Sequence, residues 1–303
     1  MKIVLLTTGI VNYDCNINFF EPLKDLGHDV INYDYLHRIG GASLNRELKT
    51  LVDSEKPDYI FYITHQNEIS PENLQDWREK GFRVVGFFPD DDWRFENYSK
   101  FKAKEFFCSV TFSYGAINKY KANNLRVIQG HWGANPKYYF PIPSLNSYDV
   151  SFVGRRYAVR ENFIIPLRQA GISVHGFGRN WKSGYIPFKD LVSIFSNSRI
   201  NLNFNISMVD SKIKEIKARV VEVPMCGGFL LTSYAEGLEE YFRIGEEIIC
   251  FTSLQDLISK VKYYLENDEE RKKIAAAGYK AALERHTWQR EFSYILKELE
   301  GID

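Results

Sequence analysis

Twice along this chain, apolar strand-like segments alternate one for one with segments of helical period, and few architectures accept that pattern. Parallel strands joined by helical crossovers need helices on both faces, so the pattern specifies doubly wound parallel sheets in an α/β protein. The first run opens with the strand Lys2 to Leu6 and a helix face at Phe19, Phe20, Leu23 and Leu26, closed by Gly27. Asp29 to Tyr33 is the next strand, and Ser43 is expected to cap a helix carrying Leu44, Leu48 and Leu51. Strands Tyr59 to Ile63 and Arg83 to Phe88 enclose a helix that starts at Ser70-Pro71-Glu72, with Ser as cap and Pro in the first turn, and ends at Gly81. Strands near Cys108 to Phe112 and Arg126 to Ile128 complete this run.

Around Pro136 to Ser147 the pattern dissolves into Pro, Asn, Ser and aromatic residues, the mark of a linker between domains 1–140 and 141–286. Alternation restarts with the strand Tyr148 to Val153 and the Gly154 turn, then a helix from Arg160 to Ala170 that stops at Gly171. Ser173 to His175 and Ile200 to Phe204 read as strands with Phe188 to Asn197 helical between them, and Phe229 to Leu231 and Ile248 to Phe251 complete the second sheet. The capping box Ser253 to Asp256 opens a helix with Leu254, Leu257, Ile258, Val261 and Leu265 on one face. Two more helices follow, near Asp268 to Glu284 and Thr287 to Leu299; the last carries Phe292, Ile295, Leu296 and Leu299 on a face that needs cover.

Composition closes off several function classes. A chain of 303 residues with 45% hydrophobic content can fill two cores. Lys+Arg and Asp+Glu are 39 each, so no net field draws in a polyanion such as duplex DNA, although a local basic groove is compatible with that balance. The apolar start Ile3 to Leu6 is one strand long, read as neither a signal peptide nor a membrane span. Cys15, Cys108, Cys226 and Cys250 are widely separated and read as reduced core residues of a cytoplasmic protein rather than a metal site. Gly176-Phe177-Gly178 lacks the third Gly and the following acid of a dinucleotide fingerprint, and no Ser elbow or Walker loop is present.

Candidate chemistry gathers at strand ends, where doubly wound sheets bind ligands. In the stretch Lys217 to Thr232, Arg219 and Glu222 stand one turn apart on a helix face, ahead of Gly227-Gly228. A cation and a carboxylate beside a Gly turn can bind a phosphate and a ribose hydroxyl together; they can also form a solvated ion pair before an ordinary helix stop. Asp90, Asp91 and Asp92 begin just past a buried strand, so one of them can serve as base toward an acceptor hydroxyl, the other readings being a helix cap or an acidic turn. One acidic cluster alone is weak evidence for a metal site, and no essential metal is expected there. His65 holds another strand-end position, as a functional group or as a polar loop residue. The loop Gly9 to Asn18 carries polar and aromatic groups that could read an acceptor.

The segments Tyr148-Asp149-Val150-Ser151-Phe152-Val153-Gly154, Gly176-Phe177-Gly178-Arg179-Asn180-Trp181 and Arg219 to Thr232, with Gly278 and His286-Thr287-Trp288-Gln289-Arg290, carry a specific resemblance. They are similar to GT-B glycosyltransferases related to glycosyltransferase group 1, of the group that includes the CgeB-like spore-maturation proteins. The resemblance runs from about Gly133 to Arg290; before it, only the architecture and the Asp-rich strand end are similar. It implies two tandem Rossmann-like domains, a nucleotide-sugar donor in the second, an acceptor held mainly by the first, and a last helix, 287–303, that crosses back to the first. It further implies sugar transfer with retention and without an essential metal or cofactor, to a saccharide, protein, lipid or small-molecule acceptor; nucleic acid is disfavoured by the charge balance. Glu222 would bond the donor ribose, amides at Gly227 and Gly228 would lie near the diphosphate, Lys217, Arg219 and the Arg155 that follows Gly154 would meet phosphate, and Gly178 would line the same site. One departure is Lys214, where many retaining members place a second Glu eight positions before the ribose Glu; here Glu215 is one step off. A nucleotide-sugar epimerase or hydrolase of the same fold, or a non-catalytic nucleotide-sugar binding protein, would share these features.

Overall fold

The computed structural model describes residues 1–8, 15–35, 42–66, 68–143 and 148–302. The chain divides into two compact units, Met1–His131 with Trp288–Asp303, and Trp132–Thr287. Each is built on one parallel sheet, of six and five strands, so the doubly wound α/β reading holds.

The first sheet has the order β2-β1-β3-β4-β5-β6, made of β1 (Lys2–Thr7), β2 (Asp29–Asp34), β3 (Tyr59–Ile63), β4 (Arg83–Phe88), β5 (Cys108–Thr111) and β6 (Val127–Gln129). Its helices are α1 (Glu21–Asp25), α2 (Ala42–Glu55), α3 (Pro71–Glu79), the short α4 (Asp91–Arg94) and α5 (Ile117–Ala122). All five residues of β3 are buried because helices cover both of its faces. Val4, Leu6, Ile60, Tyr62, Val84 and Phe88 point to one face and pack with Leu44, Leu48, Val52, Leu74 and Trp77. Ser70 does cap α3, accepting from the Asn73 N–H at 3.2 Å. Ser43 does not cap α2, which already includes it; the fully buried stripe runs Leu44, Leu48, Val52, an i, i+4, i+8 row that leaves Leu51 part-buried.

The second sheet, in the order β11-β10-β9-β7-β8, contains β7 (Tyr148–Val153), β8 (Val174–Phe177), β9 (Ser198–Asn203), β10 (Leu230–Ser233) and β11 (Ile249–Phe251). The helices are α6 (Ala158–Gln169), α7 (Phe188–Asn197), α8 (Arg219–Met225), α9 (Leu238–Tyr241), α10 (Leu254–Glu266) and α11 (Asp268–Arg285). Ser253 caps α10 by accepting from the Asp256 N–H at 3.1 Å. Val150, Phe152, Ile200, Leu202, Leu231 and Phe251 form the core with Ile164, Leu167, Leu257 and Val261.

The chain passes from the first unit to the second at His131–Trp132, ahead of the stretch read as linker. Residues from Pro136 belong to the second unit because their aromatic side chains have a core to join: Tyr139 is buried and packs edge-on against Phe188 at 5.1 Å. Residues 144–147, and 9–14 of the loop proposed to read an acceptor, lie outside the described residues.

The final helix, α12 (Trp288–Glu300), belongs to the first unit. It covers the face of the sheet that presents Phe61 and Phe87, with Phe292 5.3 Å from Phe19, 6.2 Å from Phe61 and 6.3 Å from Phe87. All four cysteines are buried and unbridged. No helix among the described residues is long and apolar enough to cross a membrane.

Candidate functional site

At the carboxyl end of β7 the backbone turns through Gly154, whose φ of +151° disfavours any side chain. A Cβ there would meet the Phe152 ring at 3.0 Å and Arg160 Nη1 at 3.1 Å, and a Cβ on Gly178 would meet the Gly154 carbonyl oxygen at 3.0 Å. The two glycines let the loops after β7 and β8 touch. Trp181 locks that contact by donating its indole N–H to the Gly154 carbonyl at 2.8 Å. Gly178 therefore shapes the turn.

Two arginines converge on this turn. Arg160, on α6, is buried with its guanidinium 4.2 Å from the Tyr157 ring centroid and 5.0 Å from that of Phe152, and donates to the Arg155 carbonyl at 2.5 Å. Arg219, at the start of α8, lies over the same Phe152 ring at 5.8 Å and donates Nε to Asn203 Oδ1 at 3.0 Å, while its Nη2 is buried with no partner. Burial, then the neighbouring Arg219, pushes the Arg160 pKa down to about 9. Burial also lowers that of Arg219, against the opposing pull of Glu222, Tyr157 and Glu215. A buried guanidinium N–H short of partners is costly to desolvate, and an anion bonded to it would recover that cost. Arg155 is exposed on the loop between them.

Glu222 is one turn along α8 from Arg219, and its Oε1 accepts the Tyr139 hydroxyl at 3.0 Å. The aromatic that orients this carboxylate comes from the stretch read as linker. Glu215 is buried, bonded to Lys217 Nζ, with Oε2 lacking a partner, whereas Lys214 is exposed and reaches only the Ser211 carbonyl at 3.4 Å. The carboxylate one step off the expected position is thus the one folded inward. Gly227 and Gly228 differ from expectation: their N–H groups bond the Pro224 and Val223 carbonyls at 2.8 and 3.0 Å. Those amides terminate α8 and are already occupied, so the pair acts as a helix stop rather than a diphosphate cradle. A Cβ on Gly228 would lie 2.6 Å from the Phe195 carbonyl oxygen, so close packing also demands glycine there. Arg160, Tyr139, Tyr157 and Asn203 escaped the sequence reading; the one available signal was the Gly154 turn, which points at whatever the following helix places beneath it.

In the first unit, the carboxyl ends of β3 and β4 carry the other candidates. His65 Nδ1 is 3.1 Å from Glu68 Oε1, and Glu68 also accepts from the Gln66 N–H at 2.9 Å and the Tyr62 hydroxyl at 2.9 Å. With its backbone carbonyl bonded by Arg94 at 2.6 Å, the half-exposed His65 is held with Nε2 turned away from Glu68. Asp90 precedes α4 and is part-buried, and Asp92 accepts from Ser113 Oγ at 2.7 Å. Asp91 points inward, fully buried, and accepts the Tyr120 hydroxyl at 2.9 Å. It is therefore a poor base toward a ligand, a correction to treating the three aspartates alike. Among the described residues, no cluster of three or more His, Cys, Asp or Glu could hold a metal.

Burial raises the Asp91 pKa above its unfolded value, against the Tyr120, Ser99 and Thr111 hydroxyls. Stability from this group is present below the unfolded carboxylate pKa and is lost as pH rises through the folded one. Asp91→Asn should therefore melt at pH 7 at or above the parental temperature and retain activity. Asp91→Leu, which leaves the Tyr120 hydroxyl unpaired, should cost about 1–3 kcal/mol. Loss of activity in a folded Asn variant would return Asp91 to the catalytic candidates.

Residues 155–297 match the model of a glycosyl transferase-like family. No curated protein matches the chain in sequence. Among solved structures, HepE of Anabaena in complex with UDP and glucose is similar over 99% of this chain and 100% of its own, with a TM-score of 0.69 at 14% identity. An alpha-glucosyltransferase in complex with UDP-glucose and DNA containing an abasic site aligns over 99% of both chains, with a TM-score of 0.68 at 11% identity. Sucrose-phosphate synthase from Thermosynechococcus elongatus aligns over 100% of both chains, with a TM-score of 0.65 at 11% identity. The chain has the GT-B fold, and its residues 155–297 are similar to a glycosyl transferase-like family.

Proposed function

We propose that the protein transfers a sugar from a nucleoside-diphosphate sugar, with uracil as the base, to an acceptor hydroxyl, without an essential metal and with retention at the anomeric carbon. The observation that carries this reading is the Arg160–Arg219 pair at the Gly154 turn, in which Arg160 is buried and the part-buried Arg219 keeps a buried, unpartnered Nη2. In the reaction the bond from the anomeric carbon to the diphosphate oxygen breaks, and its electron pair leaves with the diphosphate. The acceptor oxygen bonds that carbon and gives up its proton to an acceptor-side base. Arg160, Arg219, Arg155 and Lys217 would neutralise the departing diphosphate, the work a divalent cation does elsewhere. Glu222, oriented by Tyr139, would accept a ribose hydroxyl. His65 and the part-exposed Asp90 and Asp92 are the proposed acceptor-side groups. The four unbridged cysteines favour a cytoplasmic location, and the motifs of the second unit favour the CgeB-like group.

Calorimetric titration with UDP tests the donor half: Glu222→Ala should weaken binding by about 1.5–3 kcal/mol, the range for a hydrogen bond to a charged group, with little change in stability. Turnover should survive excess EDTA. Loss of activity with EDTA, restored by magnesium or manganese, would refute the metal-free reading. Conversion of the donor without any acceptor would favour the epimerase or hydrolase alternative, and tight UDP binding without turnover a binding protein. The anomeric proton coupling of the product, compared with that of the donor, decides retention.

A further inference from the structure

The amino ends of β4, β5 and β6 border a cavity of about 480 Å³ whose lining holds four cations, Arg78, Arg83, Lys104 and Arg126, against one carboxylate, Glu105. In a chain whose acids and bases balance at 39 each, that is a sharp local excess. The single acid pairs with Arg78 at 3.5 Å. Arg83 is positioned by neutral groups: it donates to the Tyr59 hydroxyl at 3.3 Å and lies over the Tyr59 ring at 5.8 Å. Two guanidiniums lie over the Phe107 ring, Arg83 at 5.1 Å and Arg126 at 5.3 Å from its centroid. An aromatic face orients a guanidinium while leaving its N–H edge able to grip a tetrahedral oxyanion through paired bonds.

This cavity is not the site already described. Candidate groups such as His65 and Asp90 follow the carboxyl ends of β3 and β4, whereas Arg83 opens β4, and six residues of strand separate the two ends by about 20 Å. We infer that the cavity binds a phosphate-bearing ligand, either a soluble phosphate ester or the headgroup of an anionic lipid. The inference is independent of the transferase reading, since it uses none of the same residues.

The test titrates inorganic pyrophosphate calorimetrically into the full chain carrying Arg219→Met, so that the second unit's site contributes less, and reads the change caused by substitutions in the cavity. Binding that persists there and weakens at least tenfold when Arg83→Gln and Arg126→Gln are added supports the inference. Binding that is absent, or unchanged by those substitutions, overturns it. Lys104→Glu, at an exposed position, should weaken pyrophosphate about fivefold without lowering the melting temperature, which separates ligand loss from misfolding. Sedimentation with phosphatidylglycerol vesicles then names the source. Co-sedimentation lost in the double variant identifies a lipid headgroup, and a chain that stays in the supernatant while binding pyrophosphate identifies a soluble ester.

Discussion

Arg219→Met should weaken UDP binding by about 3 kcal/mol, roughly a hundredfold, while the ligand-free protein becomes no less stable. The two effects have opposite signs for one reason. In the empty site the guanidinium is charged and desolvated, depressed in pKa by burial, and its Nη2 has no partner. Folding therefore bears a cost that an unbranched apolar side chain of similar length avoids, offset by the one bond lost to Asn203. With a diphosphate bound, the same group gains a charge-assisted bond. Isothermal titration and a thermal melt on one preparation read both signs. A variant that loses stability yet binds UDP with parental affinity would make Arg219 a structural residue and remove the main support for the donor site.

Phe292→Ala should destabilise the first unit by about 3–5 kcal/mol, the usual cost of truncating a buried Phe, and lower its melting transition by about 10 °C. Phe292 is fully buried, with the rings of Phe19, Phe61, Phe87 and Trp288 around it, so no neighbour can collapse into the space without losing another contact. UDP affinity should be retained, because α12 supplies none of the residues of the second unit's site. Deleting 288–303 should go further, exposing the apolar face of the first sheet and making the chain aggregate. A loss below about 1 kcal/mol for Phe292→Ala, measured by chemical denaturation followed by tryptophan fluorescence, would mean that the helix docks loosely.

Much of the fold was legible because it is written in local periodicity. The apolar runs of β3 and β4 can be satisfied only between two helix layers, and Ser70 and Ser253 announce their helices through side-chain bonds made within three residues. The order of turn, helix and strand around Gly154 and Arg219 likewise pointed to the end of the second sheet that holds the candidate site. Where local signals competed, one failed: Ser43 looked like a cap, yet the stripe Leu44, Leu48, Val52 extends α2 past it.

What tertiary structure alone decided is which polar groups are inside. Arg160 reads in sequence as one of many cations on an amphipathic helix; Phe152, Tyr157 and the Gly154 turn take it inside. The three consecutive aspartates are equivalent in sequence, but Tyr120 and the sheet edge take Asp91 into the core and leave Asp90 and Asp92 part-exposed. Gly227 and Gly228 suggested free amides until the bonds to Val223 and Pro224 accounted for both. Tyr139 orients Glu222 from a segment without periodicity, 83 residues away. Periodicity and capping depend on neighbours a turn or two apart, so the sequence determined the elements and their order. The protonation, burial and pairing of a charged group depend on partners brought from distant segments, so only the folded chain determined the site.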